Sequence, residues 1–479
     1  MVHKEMSDFR LQSCPKTYIL DQDKTIDPMS TVKKALERLS QCYDISHLRI
    51  EPRHDEISGA YSFSSLSDQL QASGKGLTAE QSQASAIMEF LERYSWLHFD
   101  YQDYDGYTVS SFDQIKAGPV PTVGLDFFFS NFIDLRERVD LEKAVVDIPM
   151  KWLKGVSLHD YSKFYYPLNW YNYIFTSNGL ATGNALEEAI LQAMCEVIER
   201  ENIFRLFGDN RIANDIDEQS FNNPLIKQVL TNAKKQGISL VIKDISFDLK
   251  VPTILVYGIC HNDRFGLTHK GCGYGTHPNP EKACIRALSE YFESYSLLKE
   301  RQKKAEINWA KLLSKVPRRN FGFLTLYNPD ILNQRKKVIK ISDLPDWSRK
   351  DIKDEIKAIL KTLKQHRYEV VYMNKTHPQI GIPVVRIFIP GMRNLVVSEF
   401  QDADSIMSEV YHEAGDKANA LEYAKRSVKR HSFSMPEVSA AVDPEKAFRS
   451  DYRETLLAIN GFKKDIYELL DTFGKGLLK

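Results

Sequence analysis

The sequence predicts an α/β protein of the α+β kind: three pseudo-repeated loop-helix units packed on mixed, mostly antiparallel sheets, followed by an α-helical C-terminal extension. Three observations carry this expectation. Segments 74–93, 177–200 and 273–294 align on one frame, β-type runs lie between and after them, and the β signal stops near residue 402.

The three copies are GKGLTAEQSQASAIMEFLER, SNGLATGNALEEAILQAMCEVIER and GYGTHPNPEKACIRALSEYFES, superposed on Ala86, Ala193 and Ala287. Glu80, Glu187 and Glu281 then coincide, as do Glu89, Glu196 and Glu290, and Glu92, Glu199 and Glu293. The arginine closing the first two copies, Arg93 or Arg200, is Ser294 in the third. Each copy reads as a Gly-containing loop, a helix start near Thr78, Asn184 or Pro280, and an amphipathic helix with glutamates at i and i+3. Strands are expected over Ser239–Asp244, Val251–Cys260, Gly266–Gly273, Glu369–Asn374, Val384–Ile389 and Leu395–Ser398. Asn262-Asp263 marks a hairpin turn, and Pro390-Gly391 ends a buried strand. Beyond 402 the segments DSIMSEVYHEAG, KANALEYAKRSVKR, PEKAFRSDYRETLLAI and KKDIYELLDTFGKGLLK all read as helices. The expected division is an N-terminal part of the core (1–70), the core itself (71–401) and the helical extension (402–479).

Composition excludes several classes. Across 479 residues, 64 Lys+Arg balance 64 Asp+Glu, so no net charge favours nucleic acid or an anionic membrane surface. With 43% hydrophobic and 27% charged residues the chain is globular rather than disordered. The longest apolar runs, Val251–Cys260 and Ile382–Ile389, fall far short of the roughly 18 residues of a membrane span. Charges interrupt MVHKEMSDFRLQSCPK where a signal peptide needs an apolar stretch, so a cytoplasmic location is expected. Cys14, Cys42, Cys195, Cys260, Cys272 and Cys284 form no C-x-x-C pair and are expected as reduced thiols.

The repeated glutamates carry the chemistry. One E-x-x-E-R string says little, because exposed helix faces use such charges freely. Here Glu89 and Glu92 lie among Ile87, Met88, Phe90 and Leu91, and Glu196 and Glu199 among Met194, Val197 and Ile198. Carboxylates on such apolar helices need Arg, a metal or a wet cleft, because burying them unpartnered is prohibitive. One solution is a core stapled by Arg93, Arg200 and Arg286. The other is a shared cation, and four hard oxygen donors suit Mg²⁺, which typically holds substrate phosphates. Neither a G-x-x-x-x-G-K-[ST] loop nor a G-x-G-x-x-G turn is present, so a nucleotide would be held through metal and side chains. The C-H…H-x-x-C arrangement of Cys260, His261, His269 and Cys272 lacks zinc-site spacing, and His412-Glu413 lacks the second His of a zincin helix.

The stretches LQSCPKTY, GKGLTAEQSQASAIMEFLERYS, SNGLATGNALEEAILQAMCEVIERE, HPNPEKACIRALSEYFES and GIPVVRIFIPGM together resemble the YcaO superfamily over roughly residues 10–400. The resemblance implies a YcaO-like fold and an ATP- and Mg²⁺-dependent enzyme. Such an enzyme phosphorylates the carbonyl oxygen of a peptide or protein backbone amide and lets a nucleophile displace the phosphate. It implies Glu89, Glu92, Glu196 and Glu199 as Mg²⁺ ligands. It further implies Lys24, Thr31, Asn184, Glu188, Arg200 and Arg286 around the nucleotide, with Lys24 and Thr31 keeping the family's seven-residue spacing in DKTIDPMST. A homodimer is implied as well. Ala181 stands where some relatives place a nucleotide-contacting Ser, with Thr182 beside it.

Azoline-forming members commonly end in a P-x-P-x-P tail and follow a leader-binding module. The sequence ends in DTFGKGLLK, and no such module is read before Gly74, which weakens the expectation of cyclodehydration. LQSCPKTY and GIPVVRIFIPGM look most like the YcaO proteins that act alone or with a TfuA partner to make a backbone thioamide, using an external sulfide or sulfur-donor protein. Thioamidation is therefore the first expectation. An azoline-forming cyclodehydratase with a separate substrate-binding partner is the second, and a non-catalytic nucleotide-binding scaffold the third.

Overall fold

In a computed structural model, the described residues are 9–20, 22–54, 61–66, 70–76, 78–99, 104, 106–124, 146, 148–168, 177–260, 269–305, 329–394 and short pieces between 407 and 423. The expected strand at Leu395–Ser398 and most of the expected helical extension lie outside them. The main helices are α1 (Pro28–Leu39), α2 (Ala79–Leu97), α3 (Leu186–Phe207), α4 (Pro224–Lys235), α5 (Pro280–Ala305) and α6 (Ile352–Gln365). The strands are β1 (Arg49–His54), β2 (Tyr61–Leu66), β3 (Gln71–Gly76), β4 (Thr108–Ser110), β5 (Met150–Ser157), β6 (Lys163–Pro167), β7 (Leu180–Thr182), β8 (Asn214–Ile216), β9 (Ile238–Asp244), β10 (Thr253–Cys260), β11 (His269–Thr276), β12 (Val338–Ile339), β13 (Val371–Asn374) and β14 (Val384–Phe388).

They build three sheets, ordered β1-β2-β3, β11-β10-β9-β8-β12 and β4-β5-β13-β14-β7, with β6 also paired to β5. Every pairing is antiparallel except β12 with β8. The hairpin expected around Asn262-Asp263 is the β10–β11 pair, in register from Thr253↔Thr276 to Cys260↔His269. Fold class and sheet character thus agree with the sequence reading.

The repeat unit itself differs from its expectation in one respect. What reads as a Gly-rich loop is a strand, and each copy is a strand-turn-helix unit: β3 into α2, β7 into α3, β11 into α5. Glycines of the first and third copies serve close approach, whereas Gly179 of the second adopts the positive φ of a turn. A Cβ on Gly74 would lie 2.0 Å from the backbone N of Ala86, and one on Gly275 would lie 2.7 Å from that of Ala287. These are the aligned alanines, and Ala86, Ala193 and Ala287 are all fully buried. Helices α2 and α5 therefore press their backbones onto β3 and β11.

Each repeat strand is also an edge of its sheet, and each repeat helix touches the next copy's strand: α2 meets β7, α3 meets β11, and α5 meets β3. The three units thus contact one another in cyclic order.

Local signals set the helix ends. Thr78 caps α2 by accepting from the N–H of Gln81, and Asn279 accepts from Lys282 N at 3.1 Å at the start of α5. Helix α3 begins after Ala185, one residue past the expected Asn184, because the Asn184 side chain is turned to another partner. Buried Ile190, Met194, Val197 and Ile198 of α3 pack with Ile352, Ile356 and Ile359 of α6 and with Val385 and Ile387 of β14. Among the described residues no helix is long and apolar enough to cross a membrane. All six cysteines are free, and Cys195 and Cys284 are buried.

Candidate active site

One face of α3 carries Asn184 just before its first turn, then Glu188, Gln192, Glu196 and Glu199 at three- and four-residue spacing. At 1.5 Å per residue this polar stripe runs about 22 Å along the helix.

Its N-terminal end is a completed network. Glu188, 4% exposed, pairs with Lys24 Nζ at 3.1 Å and accepts from the Thr25 N–H at 3.1 Å and from Thr25 Oγ1 at 3.0 Å. Burial alone would raise the Glu188 carboxyl, but Lys24 and the Thr25 donors outweigh it and hold the pKa below the ordinary value. Asn184 Nδ2 donates to Thr31 Oγ1 at 2.9 Å, and Thr31 Oγ1 donates to the Asp27 carbonyl at 3.0 Å on the first turn of α1. The structure thus brings Lys24, Thr31, Asn184 and Glu188 together.

The segment bearing Lys24 is anchored by charge. Buried Asp23 meets Lys16 at 2.8 Å and Lys282 of α5 at 2.5 Å, and Lys16 meets fully buried Glu355 of α6 at 2.5 Å. His277 lies 3.5 Å from Asp23, but its pKa is driven well below normal by burial and by neighbouring Arg286 and Lys282, so the imidazole is neutral there. Midway along the stripe, Arg286 donates to Gln192 Oε1 at 2.5 Å and to the Thr276 carbonyl at 3.1 Å.

The opposite end collects glutamates from all three repeat helices. Burial, then Glu196 and Glu89, push Glu92 well above its ordinary pKa. Burial pushes Glu196 up to about 7 against the pull of Arg200. Glu199, 8% exposed, is raised by burial and by Glu290. Glu89 is raised by burial, partly offset by Arg93. Glu290 and Glu293 of α5 join through Lys75 of β3, whose Nζ is 2.5 Å from Glu290 Oε2.

Arg200 sits within the field of Glu199, Glu196 and Glu290, which together overcome the cost of burying its charge. Arg386 of β14 adds positive charge opposite Glu92 and Glu196. Of the three staples that a purely structural role would need, the Glu89–Arg93 ion pair is formed, whereas Arg286 bonds an amide and a carbonyl.

Such a set of oxygens fits a hard divalent cation: neighbouring carboxylates repel one another and are ionised at a cost that a cation would remove. Among the described residues no three His, Cys, Asp or Glu side chains are drawn close enough to hold a metal ion; Lys75 pairs with Glu290 and Arg93 with Glu89.

Sequence reasoning placed four of these carboxylates and missed Glu290, Glu293, Lys75 and Arg386 as neighbours. The alignment frame already held the signal for Glu290 and Glu293. Lys75 and Arg386 come from strands whose side-chain direction only the sheet pairing reveals. The first aligned position has a different use: Glu187 accepts from the Gln12 N–H at 2.6 Å and Glu281 from the Asn222 N–H at 2.6 Å, so both tether other segments.

Residues 73–393 match the family described as YcaO cyclodehydratase, ATP- and Mg²⁺-binding, and the chain belongs to that family. ATP and Mg²⁺ are accordingly its cofactors. Among curated proteins it is 28% identical over 334 residues to an uncharacterized protein of Methanothermobacter thermautotrophicus, covering 67% of this chain and 80% of that one. It is also 28% identical over 165 residues to an uncharacterized protein in the tfuA 3′ region of Rhizobium leguminosarum bv. trifolii, covering 30% of this chain and 39% of that one. Among solved structures it shares its fold with a heterocyclase in complex with substrate and cofactor (TM-score 0.65, 22% identity, 81% of this chain and 55% of that one). It likewise shares the fold of YcaO from Methanopyrus kandleri bound with AMPPCP and Mg²⁺ (TM-score 0.56, 17% identity, 81% and 96%).

Proposed function

We propose that this protein is an ATP-dependent enzyme that activates a peptide or protein backbone amide and exchanges its oxygen for sulfur. The observation that carries the enzymatic reading is the carboxylate centre itself, where Glu89, Glu92, Glu196 and Glu199 lie within one another's field and ionise only against burial and neighbouring carboxylates. These four are the proposed Mg²⁺ ligands, with Glu290 beside them. Lys24, Thr31, Asn184, Glu188, Arg200 and Arg286 are the proposed nucleotide contacts, laid out along the stripe of α3. Bound Mg²⁺ would neutralise phosphate charge during transfer.

The chain's own groups position and compensate. Arg200 lies where negative charge gathers, Arg286 is held in place by Gln192 and the Thr276 carbonyl, and Lys24 is aimed by the Asp23 anchor. In the proposed reaction the amide oxygen takes the γ-phosphoryl group of ATP, releasing ADP. Hydrosulfide then adds to the carbon, the C–O bond breaks with loss of phosphate, and the nitrogen lone pair and loss of the thiol proton leave a thioamide. The oxygen departs in the phosphate, and no oxidant is needed.

The relative in the tfuA 3′ region and the likeness of LQSCPKTY and GIPVVRIFIPGM to thioamide-forming members support this choice of nucleophile. The family's description as cyclodehydratase favours a second reading, in which a Cys, Ser or Thr side chain of the substrate attacks and a separate partner supplies the substrate. A glycine-, cysteine- and serine-containing peptide pool with ATP, Mg²⁺ and sulfide separates the two by mass spectrometry. Oxygen-for-sulfur exchange supports thioamidation, with heavy oxygen from a labelled amide appearing in phosphate. Loss of water without sulfur would overturn it in favour of the azoline.

A further inference from the structure

Lys75 lies between Gly74 and Gly76 on β3, and both glycines face the first turns of α2 so closely that a Cβ would come within 2.0 Å and 2.7 Å of its atoms. Side chains alternate along a strand, so Lys75 points away from α2's backbone, toward α5. There its ammonium meets Glu290 Oε2 at 2.5 Å. Its charge also couples to Glu293 on the same helix, to Glu199 on α3 and to Glu89 on α2, so one flexible cation serves carboxylates from all three repeat units. The side chain is 34% exposed and sits at the end of a four-carbon stem with several rotatable bonds. Arg200, by contrast, projects from within the helix that carries Glu196 and Glu199.

We propose that Lys75 is the displaceable counter-ion of the carboxylate centre: it neutralises Glu290 and its neighbours in the nucleotide-free protein, a divalent cation takes its place, and the released ammonium turns to the nucleotide's phosphates. Lys75 is then a positioning residue that links metal entry to phosphate binding. A single ammonium cannot satisfy several carboxylates at once, whereas a divalent cation doubles the charge at the same place and bonds several oxygens together. This inference rests on the carboxylate centre being the metal site, as proposed above, and is independent of which nucleophile follows.

The test is Mn²⁺ binding to nucleotide-free full-length protein by electron paramagnetic resonance, comparing wild type with Lys75→Met and Lys75→Arg. Loss of an internal competitor makes Lys75→Met bind Mn²⁺ about tenfold more tightly, while Lys75→Arg stays near wild type. Equal or weaker binding by Lys75→Met overturns the proposal. Wild type needs no substitution in the companion measurement, labelling of Lys75 by an amine-reactive reagent read by mass spectrometry. Labelling rises several-fold when Mg²⁺ is added and falls when AMPPCP follows; unchanged labelling overturns the displacement. Should wild type and Glu196→Ala/Glu199→Ala bind Mn²⁺ alike, the metal-site reading fails as well, which distinguishes that failure from failure of the Lys75 inference alone.

Discussion

Glu188 and Glu196 stand two turns apart on the same face of α3, yet their carboxyl groups shift in opposite directions. Glu188 is buried against Lys24 and two donors from Thr25 and is held below its ordinary pKa. Glu196, half-buried beside other carboxylates, is pushed up to about 7 by desolvation despite Arg200. Residue type and helix are the same, so the partners make the difference. The Glu188 end is finished by the fold and holds the N-terminal segment in place. The Glu196 end is left with more negative charge than the protein itself neutralises.

The largest effect follows at the unfinished end. Glu199→Ala lowers ATP-dependent turnover at least about a hundredfold, as expected for loss of electrostatic positioning in phosphoryl transfer, without lowering the thermal midpoint of the ligand-free protein. Turnover assay and calorimetric melting read the two quantities separately. A clear loss of stability would show that Glu199, like Glu188, is held in a network that supports the ligand-free fold, and would erase the contrast.

At the finished end a substitution costs folding stability as well as nucleotide binding. Glu188→Ala strands Lys24 and the Thr25 donors and costs about 1–3 kcal/mol of stability, seen as a shift of the urea midpoint. A Glu188→Ala urea midpoint equal to that of wild type would show that the network adds no stability.

Acid and neutral limbs of the stability curve sharpen the comparison further. A depressed carboxyl such as Glu188 contributes stability that is present above its unfolded pKa and lost as pH falls through the folded value. A raised carboxyl works the other way. Between the ordinary 4.5 and about 7 the folded chain keeps the Glu196 proton that the unfolded chain has lost, so stability declines as pH rises through this window. Urea titrations across pH should show that decline in the ligand-free protein, and Glu196→Gln should flatten it. Mg²⁺ binding below pH 7 should also release protons, measurable as a buffer-dependent binding enthalpy.

The smallest effect is expected between the two ends. Arg286→Lys keeps the charge but loses the paired contacts to Gln192 and the Thr276 carbonyl, raising KM for ATP about 3- to 10-fold with little change in kcat.

Much of this arrangement was legible in the sequence. The aligned alanines, the i and i+3 glutamates, the Thr78 cap, the β10–β11 hairpin and the strands near 239–260, 371–374 and 384–388 all follow from local periodicity and turn chemistry. Other parts are set by tertiary contact. QASGKG has the composition of a loop and becomes β3 because its glycines admit α2 at backbone distance. The convergence of Lys75, Arg386, Glu290 and Glu293 depends on contacts between units far apart in sequence, which no window of residues encodes. Helix α1 carried a readable signal in Asp27 as cap and Pro28 at the first turn, but it sits outside the repeat frame that guided the reading.

The most direct test of the central claim is titration calorimetry of Mg²⁺·ATP into wild type and into Glu196→Ala/Glu199→Ala, with folding of both confirmed by circular dichroism. Metal-dependent binding by wild type and its loss in the double variant are the expected results. Undiminished Mg²⁺-dependent ATP binding by the double variant would contradict the claim and place the nucleotide away from the carboxylate centre.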